Sequence, residues 1–235
     1  MRMNSLVGTV SGLAMLGLLA GTANAALFSF ASDTNQTDFT FAGFGNQVSD
    51  AQDPTDPVVL LVDDNNGPLP ALTFNVEFDA DFTIQYRGST QIAPGIFSHS
   101  YRLDGTYEFS NASGVLLRVT IAEGAMVALG QQATWGSTDT ILGSDDPGSV
   151  TYEWFGGDLP AYGVFNGTSV GNDDAAFTLT FLQTAAGMGV GLDANFLPNN
   201  EWTSEGSYSG TAFFVPAPGA LALLGVAGLV ARRRR

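Results

Sequence analysis

Apolar and polar residues alternate along most of the middle of the chain. The clearest case is TFNVEFDADFTIQYR, Thr73 to Arg87. Phe74, Val76, Phe78, Ala80, Phe82, Ile84 and Tyr86 share one parity, and polar or charged residues from Thr73 to Arg87 share the other. An unbroken period of two predicts a strand with one dry face and one wet face. A strand this long is expected to bend or to divide between two partners.

Shorter runs repeat the pattern. Tyr101, Leu103, Tyr107 and Phe109 alternate, as do Val115, Leu117, Val119 and Ile121. So do Val150, Tyr152 and Trp154, then Phe177, Leu179 and Phe181, then Tyr208, Ala212 and Phe214. Phe28 with Phe30 and Phe39 with Phe41 predict two short strands near the start. Turn-forming stretches separate these runs: DDNNGP at 63–68, SNASG at 110–114, GSDDPGS at 143–149 and GNDD at 171–174. Ile121 to Gly130 suits a helix or a strand equally, with Gly124 interrupting it. Many short strands with glycine-rich turns predict an all-β fold: a single antiparallel β-sandwich or jelly-roll-like domain over residues 26–214. No fixed-period repeat is present, and DAQDPTDP (Asp50 to Pro57) reads as a loop, not a domain linker.

The two ends follow other rules. Residues 1–25 combine Arg2, a mostly apolar stretch from Leu6 to Ala20, and the small-x-small site Ala23-Asn24-Ala25. This is the pattern of a secretory signal peptide, with cleavage after Ala25. At the other end, Pro216 and Pro218 stop a strand, and the chain then runs uncharged to Ala231. Those residues rise roughly 21 Å as a helix, against roughly 30 Å of hydrocarbon, so spanning requires a thinned bilayer or flanking residues drawn in. Arg232, Arg233, Arg234 and Arg235 close the chain. Positive flanks stay on the cytoplasmic side, which places the body between them outside.

Composition sharpens that division. Of 235 residues none is Cys, one is His, and the 8 basic residues are all Arg. A disulfide framework, a zinc–thiolate site and a cysteine nucleophile are thereby excluded. With both ends removed, Arg87, Arg102 and Arg118 stand against 23 acidic residues, a formal balance of −20. No surface able to neutralise phosphates remains, which argues against nucleic acid and anionic lipid as partners. An acidic polysaccharide would be held only through bridging divalent cations.

The C-terminal residues carry a family resemblance. Val215-Pro216-Ala217-Pro218, the Leu/Ala/Gly run and the terminal arginine cluster resemble a PEP-CTERM sorting signal. That family joins a Pro-Glu-Pro-like motif, a short transmembrane helix and a basic tail, and Ala217 stands where its name-giving motif has Glu. It occurs in Gram-negative bacteria that make extracellular polysaccharide. The resemblance implies export by signal peptidase and the secretion machinery, then processing by an exosortase, a membrane cysteine protease. It implies a transient C-terminal anchor and delivery to the cell envelope, cell surface or extracellular matrix. It covers residues 215–235 and says nothing of the body.

Within the body, candidate chemistry is sparse. Gly167-Thr168-Ser169-Val170-Gly171 matches G-x-S-x-G but lacks a following helix and a later His. Gly189-Val190-Gly191-Leu192-Asp193-Ala194 matches G-x-G-x-x-A, but Pro198 follows too soon for the helix that motif needs. His99 has no second His or Cys with which to share a metal. Asp63, Asp64, Asn65 and Asn66 offer the best set of oxygen donors for calcium, short of a complete calcium loop. Asp145-Asp146, Asp173-Asp174 and the row Glu77, Asp79, Asp81 are the carboxylates that a hydrolase reading would pair across a cleft. Trp135, Trp154 and Trp202 are candidates for a sugar-stacking platform if exposed. The expected function is noncatalytic: an exported protein associated with the cell surface or extracellular matrix. The alternatives are a carbohydrate-binding module, calcium-assisted or not, and a hydrolase using acidic side chains.

Overall fold

The computed structural model describes residues 24–31, 39–41, 45–50, 57–64 and 68–214. Residues 1–23 of the expected signal peptide (1–25) and the whole sorting segment from Val215 lie outside them. In chain order the strands are β1 (Asn24–Ala31), β2 (Phe39–Phe41), β3 (Gln47–Ser49), β4 (Pro57–Asp63) and β5 (Leu72–Ala93). They continue with β6 (Ile96–Asn111), β7 (Gly114–Gln131), β8 (Thr134–Ser144), β9 (Val150–Trp154) and β10 (Gly167–Thr168). The last four are β11 (Asp174–Thr184), β12 (Gly187–Met188), β13 (Val190–Gly191) and β14 (Trp202–Phe214). One 3₁₀ turn, Pro160–Tyr162, is the only helical element among the described residues.

Every ladder is antiparallel, as the all-β reading expects. The strands form one sheet, running β7-β6-β5-β4-β1-β14-β11-β8 through its main path. That path closes on itself, because the second half of β7 pairs with β8 from Ala125↔Gly143 to Gln131↔Thr134. The first half of β7 pairs instead with β9, from Leu117↔Trp154 to Ile121↔Val150. Ile121 to Gly130 is therefore strand throughout. Gly124 and Glu123, the latter at φ 62, sit where β7 exchanges partners.

Period two places the core. The inward parity predicted for β5 is buried from Val76 to Ile84, and its other parity is exposed or half-buried. As its length requires, β5 divides its partners: β4 from Leu72 to Glu77 and β3 from Asp81 to Thr83. Inside the ring the walls meet through aromatic rings. Phe30 of β1 lies 4.8 Å from Phe78 of β5 and 6.0 Å from Tyr208 of β14. Phe78 lies 5.0 Å from both Phe109 and Phe177, centroid to centroid. Further ring contacts extend the core, among them Phe41 stacked on Trp202 at 4.1 Å and Phe28 against Tyr152 at 5.4 Å. Burying each ring gives about 1.5–3 kcal/mol, and edge-to-face pairs add to it. A core of this kind needs no disulfide.

The aromatic rings of the core point inward, and the outer faces are mainly polar, with a minority of exposed apolar side chains such as Val59, Val127 and Ile141. That is the reverse of a barrel that crosses membranes with its strands, whose apolar band faces out. Among the described residues no helix is long and apolar enough to cross a membrane.

Two readings of detail change. Phe181 was expected on the inward parity with Phe177 and Leu179, yet it is 55% exposed. A bulge between Thr180 and Gln183 shifts the register against β14, Phe181 takes φ 54, and Leu182 turns inward instead. The three tryptophans are fully buried, so they provide no sugar-stacking platform. Trp135 Nε1–H donates to the Tyr101 hydroxyl at 2.9 Å, and Trp154 Nε1–H to the Gly157 carbonyl.

Candidate functional site

The arrangement most relevant to the sequence reading is the junction of the two chain ends. β1 and β14 pair along their whole overlap, from Asn24↔Phe214 to Ala31↔Ser207. Alternation makes this possible: Ala26, Phe28 and Phe30 on one strand and Tyr208, Ala212 and Phe214 on the other all turn into the core. The consequence is geometric. The residues that follow the signal-type segment and precede the Val215–Pro218 motif are neighbours across a ladder, about 5 Å apart. Asn24 and Ala25, the end of the expected cleavage site, already belong to β1.

A buried carboxylate braces this junction. Asp173 is 1% exposed; its Oδ1 accepts the Phe213 N–H at 2.9 Å and its Oδ2 accepts the Ser169 hydroxyl. Asp174 Oδ1 accepts the Thr211 N–H at 2.8 Å. Ser169 Oγ also accepts the Tyr152 N–H at 2.9 Å, and the Val170 N–H donates to the Phe213 carbonyl at 2.9 Å. The G-x-S-x-G stretch is thus strand β10, paired with β9, and the turn after it, which together pin the end of β14 to β9. Its serine holds a carboxylate and a backbone amide, with no histidine beside it. This bracing role was not read from the sequence, where Asp173-Asp174 stood as an acidic turn and as one of several carboxylate pairs a hydrolase could use.

His99 lies elsewhere and is fully buried. Its Nε2 sits 2.8 Å from the Gln131 carbonyl, so Nε2 carries the proton and donates. Its Nδ1 is 2.7 Å from Ser89 Oγ, and Ser89 is 2.8 Å from the Tyr86 hydroxyl. Phe196, at φ 60, stacks on Tyr86 at 4.6 Å and offers its carbonyl to the Tyr101 hydroxyl at 2.7 Å. Both ring nitrogens of His99 are therefore committed to joining β5, β6 and the end of β7. The G-x-G-x-x-A stretch is the short strand β13 followed by a turn. In that turn Asp193 Oδ1 accepts the Leu197 and Asn195 N–H groups, which hold its carboxyl below the usual range.

The calcium candidates do not form a cage in the described residues. Asp63 ends β4 opposite Leu27, and Asp64 Oδ2 accepts the Leu69 N–H at 3.3 Å. Asn65 and Asn66 lie outside the described residues. No group of three or more His, Asp or Glu suited to a metal ion is found among the described residues. Asp145, Asp146 and Asp174 share the rim of an open groove of about 590 Å³ floored by Ala125, Val127 and Ile141. Glu123, on the same rim, is bound at 3.3 Å by Arg102, whose guanidinium also grips Asp104 at 2.8 Å. Arg102 holds the Asp104 carboxyl below the usual carboxylate range, with help from the Glu123 N–H.

Fold and junction together define an antiparallel all-β body whose two ends leave side by side. Comparison with protein-family models, with curated proteins and with solved structures finds no match.

Proposed function

We propose that the chain is an exported, noncatalytic protein of the cell surface or extracellular matrix, sorted by the segment Val215–Arg235 and processed at both ends. The observation that carries this reading is the order of parts at the termini. An Arg-led apolar segment ends in Ala23-Asn24-Ala25, and a Pro-Ala-Pro motif leads an uncharged run into four arginines. Both arginine-flanked segments belong on the cytoplasmic side of the inner membrane.

Three features of the body support it. The pairing of Asn24 with Phe214 sets the described residues next to the two terminal segments side by side, which suits two membrane-directed ends. The inward aromatic faces leave a mainly polar exterior, with scattered exposed apolar residues, which suits an aqueous compartment. The formal balance of −20 for the trimmed chain keeps that exterior soluble and repels anionic surfaces. The noncatalytic part of the reading draws on the commitments of Ser169 and His99, whose polar atoms brace strands on separate elements.

Deleting residues 215–235 tests the sorting step. In the producing cell the shortened protein is expected to cross the inner membrane and appear free in the periplasm or medium. The full chain is expected in the envelope or matrix fraction. Identical distribution of the two forms would contradict a sorting role for the tail.

A further inference from the structure

Two Asn-x-Ser/Thr triplets lie wholly among the described residues: Asn111-Ala112-Ser113 and Asn166-Gly167-Thr168. In a secreted chain this triplet is the acceptor pattern for a sugar on the asparagine nitrogen, and it needs an exposed loop. The two triplets differ in what their amide nitrogens already hold.

Asn166 is exposed, but its side chain is committed. With its nitrogen turned inward, the amide donates to the Trp154 carbonyl at 2.8 Å and to the Phe155 carbonyl at 3.1 Å. The Asn166 backbone N–H donates to Asp158 Oδ1 at 2.7 Å. Asn166 thus ties the stretch before β10 to the end of β9. A sugar on its nitrogen would replace one of those N–H donors and force bulk against the strand end.

Asn111 stands differently. β6 ends at Asn111, β7 begins at Gly114, and these two residues pair across a turn made by Ala112 and Ser113. All four are exposed. A Cβ built on Gly114 would meet nothing within 4 Å, so the tip stands clear of the body. Asn111 Oδ1 accepts the Ser113 N–H at 2.8 Å. That bond draws the amide oxygen into the turn, and in a planar amide the nitrogen then faces away from it. Among the described residues neither Asn111 Nδ2 nor the Ser113 hydroxyl has a hydrogen-bond partner. The two groups that the acceptor pattern calls for are therefore both free, on one turn, and braced to nothing that a sugar would break.

We propose that Asn111 is a glycosylation site whose Nδ2 carries a sugar through its anomeric carbon, and that Asn166 is not. The donor is a glycosyl pyrophosphate. The Asn111 Nδ2 bond to the anomeric carbon forms as one Nδ2–H bond and the bond from that carbon to the pyrophosphate oxygen break. The proton passes to a base of the transferring enzyme, and the electron pair leaves on the pyrophosphate; nothing is oxidised or reduced. Such a link suits this body. Its charge repels acidic polysaccharide, whereas a covalent bond holds sugar regardless of that field. The inference rests on the export reading above and adds to it a modification of the exported body.

The test is peptide mass spectrometry, with fragmentation that keeps side-chain groups attached, on protein recovered from outside the producing cell. The peptide containing Asn111 is expected to carry sugar mass on Asn111, and the one containing Asn166 none. Ser113→Ala and Asn111→Gln are each expected to abolish the added mass while the Tm stays unchanged, since both positions are exposed turn residues. Thr168→Ala is expected to leave the added mass as it was. Bare Asn111 throughout a trimmed, exported protein overturns the proposal. So does sugar on Asn166, or added mass that survives both Ser113→Ala and Asn111→Gln. A chain found only in the cytosol with both ends intact contradicts the export reading, and this inference falls with it.

Discussion

At Gly143 a methyl group has no room: a Cβ there would stand 2.1 Å from the Ala175 carbonyl oxygen, on the neighbouring strand. Gly143→Ala is expected to cost about 1–3 kcal/mol through forced backbone displacement. At about 2–4 °C per kcal/mol for a body of this size, the loss is readable as a lowered Tm. The buried tyrosines set a second constraint at this scale. Burial pushes the hydroxyls of Tyr101, Tyr107, Tyr152 and Tyr208 above the usual range. Tyr208 donates to Tyr152 at 2.7 Å, and Tyr152 to the Asp174 carbonyl at 2.6 Å. A raised folded value favours the protonated form. Its contribution is full below the unfolded value near pH ~10 and is lost as pH rises beyond it. Tyrosinate absorbance from these four side chains is therefore expected to appear together with alkaline unfolding. Its appearance in a still-folded protein would contradict the burial. Nothing in the sequence announced these pairings, because a tyrosine on the inward parity reads only as apolar bulk.

At the scale of elements, legibility followed contrast between the two faces. β5 was plain because carboxylates and amides alternate with Phe, Val and Ile over its predicted span. β4 was not read, since Val59 and Leu61 are 47% and 36% exposed yet apolar, and they hide the alternation of Val58, Leu60 and Val62. β8 was missed for the opposite reason: its buried Trp135, Thr140 and Leu142 are set among glycine, serine and threonine, with little contrast between the two faces. The bulge in β11 reversed one assignment, exchanging Phe181 for Leu182. That exchange predicts a contrast. Leu182→Ala is expected to cost about 2–5 kcal/mol by cavity formation. Phe181→Ser is expected to stay within about 0.5 kcal/mol. Equal losses in chemical denaturation would place Phe181 in the core and remove the bulge.

At the scale of the whole molecule, closure was beyond a single sequence. Alternation tells each strand which face is dry but not which strand lies beside it. The pairing of β1 with β14 joins residues at opposite ends of the chain, and the pairing of β7 with both β8 and β9 splits one strand between neighbours. Acidic pairs were legible as turns, but not as the clamp that Asp173 forms on β14. The central claim concerns the molecule as a traveller: an acidic β body delivered across a membrane by two removable ends that leave it side by side. The intact mass of the protein recovered from outside the producing cell tests this most directly. The account predicts a chain that begins at Ala26 and lacks the four terminal arginines. A mature protein that still carries both Met1 and Arg235, recovered from the cytosol, would contradict it.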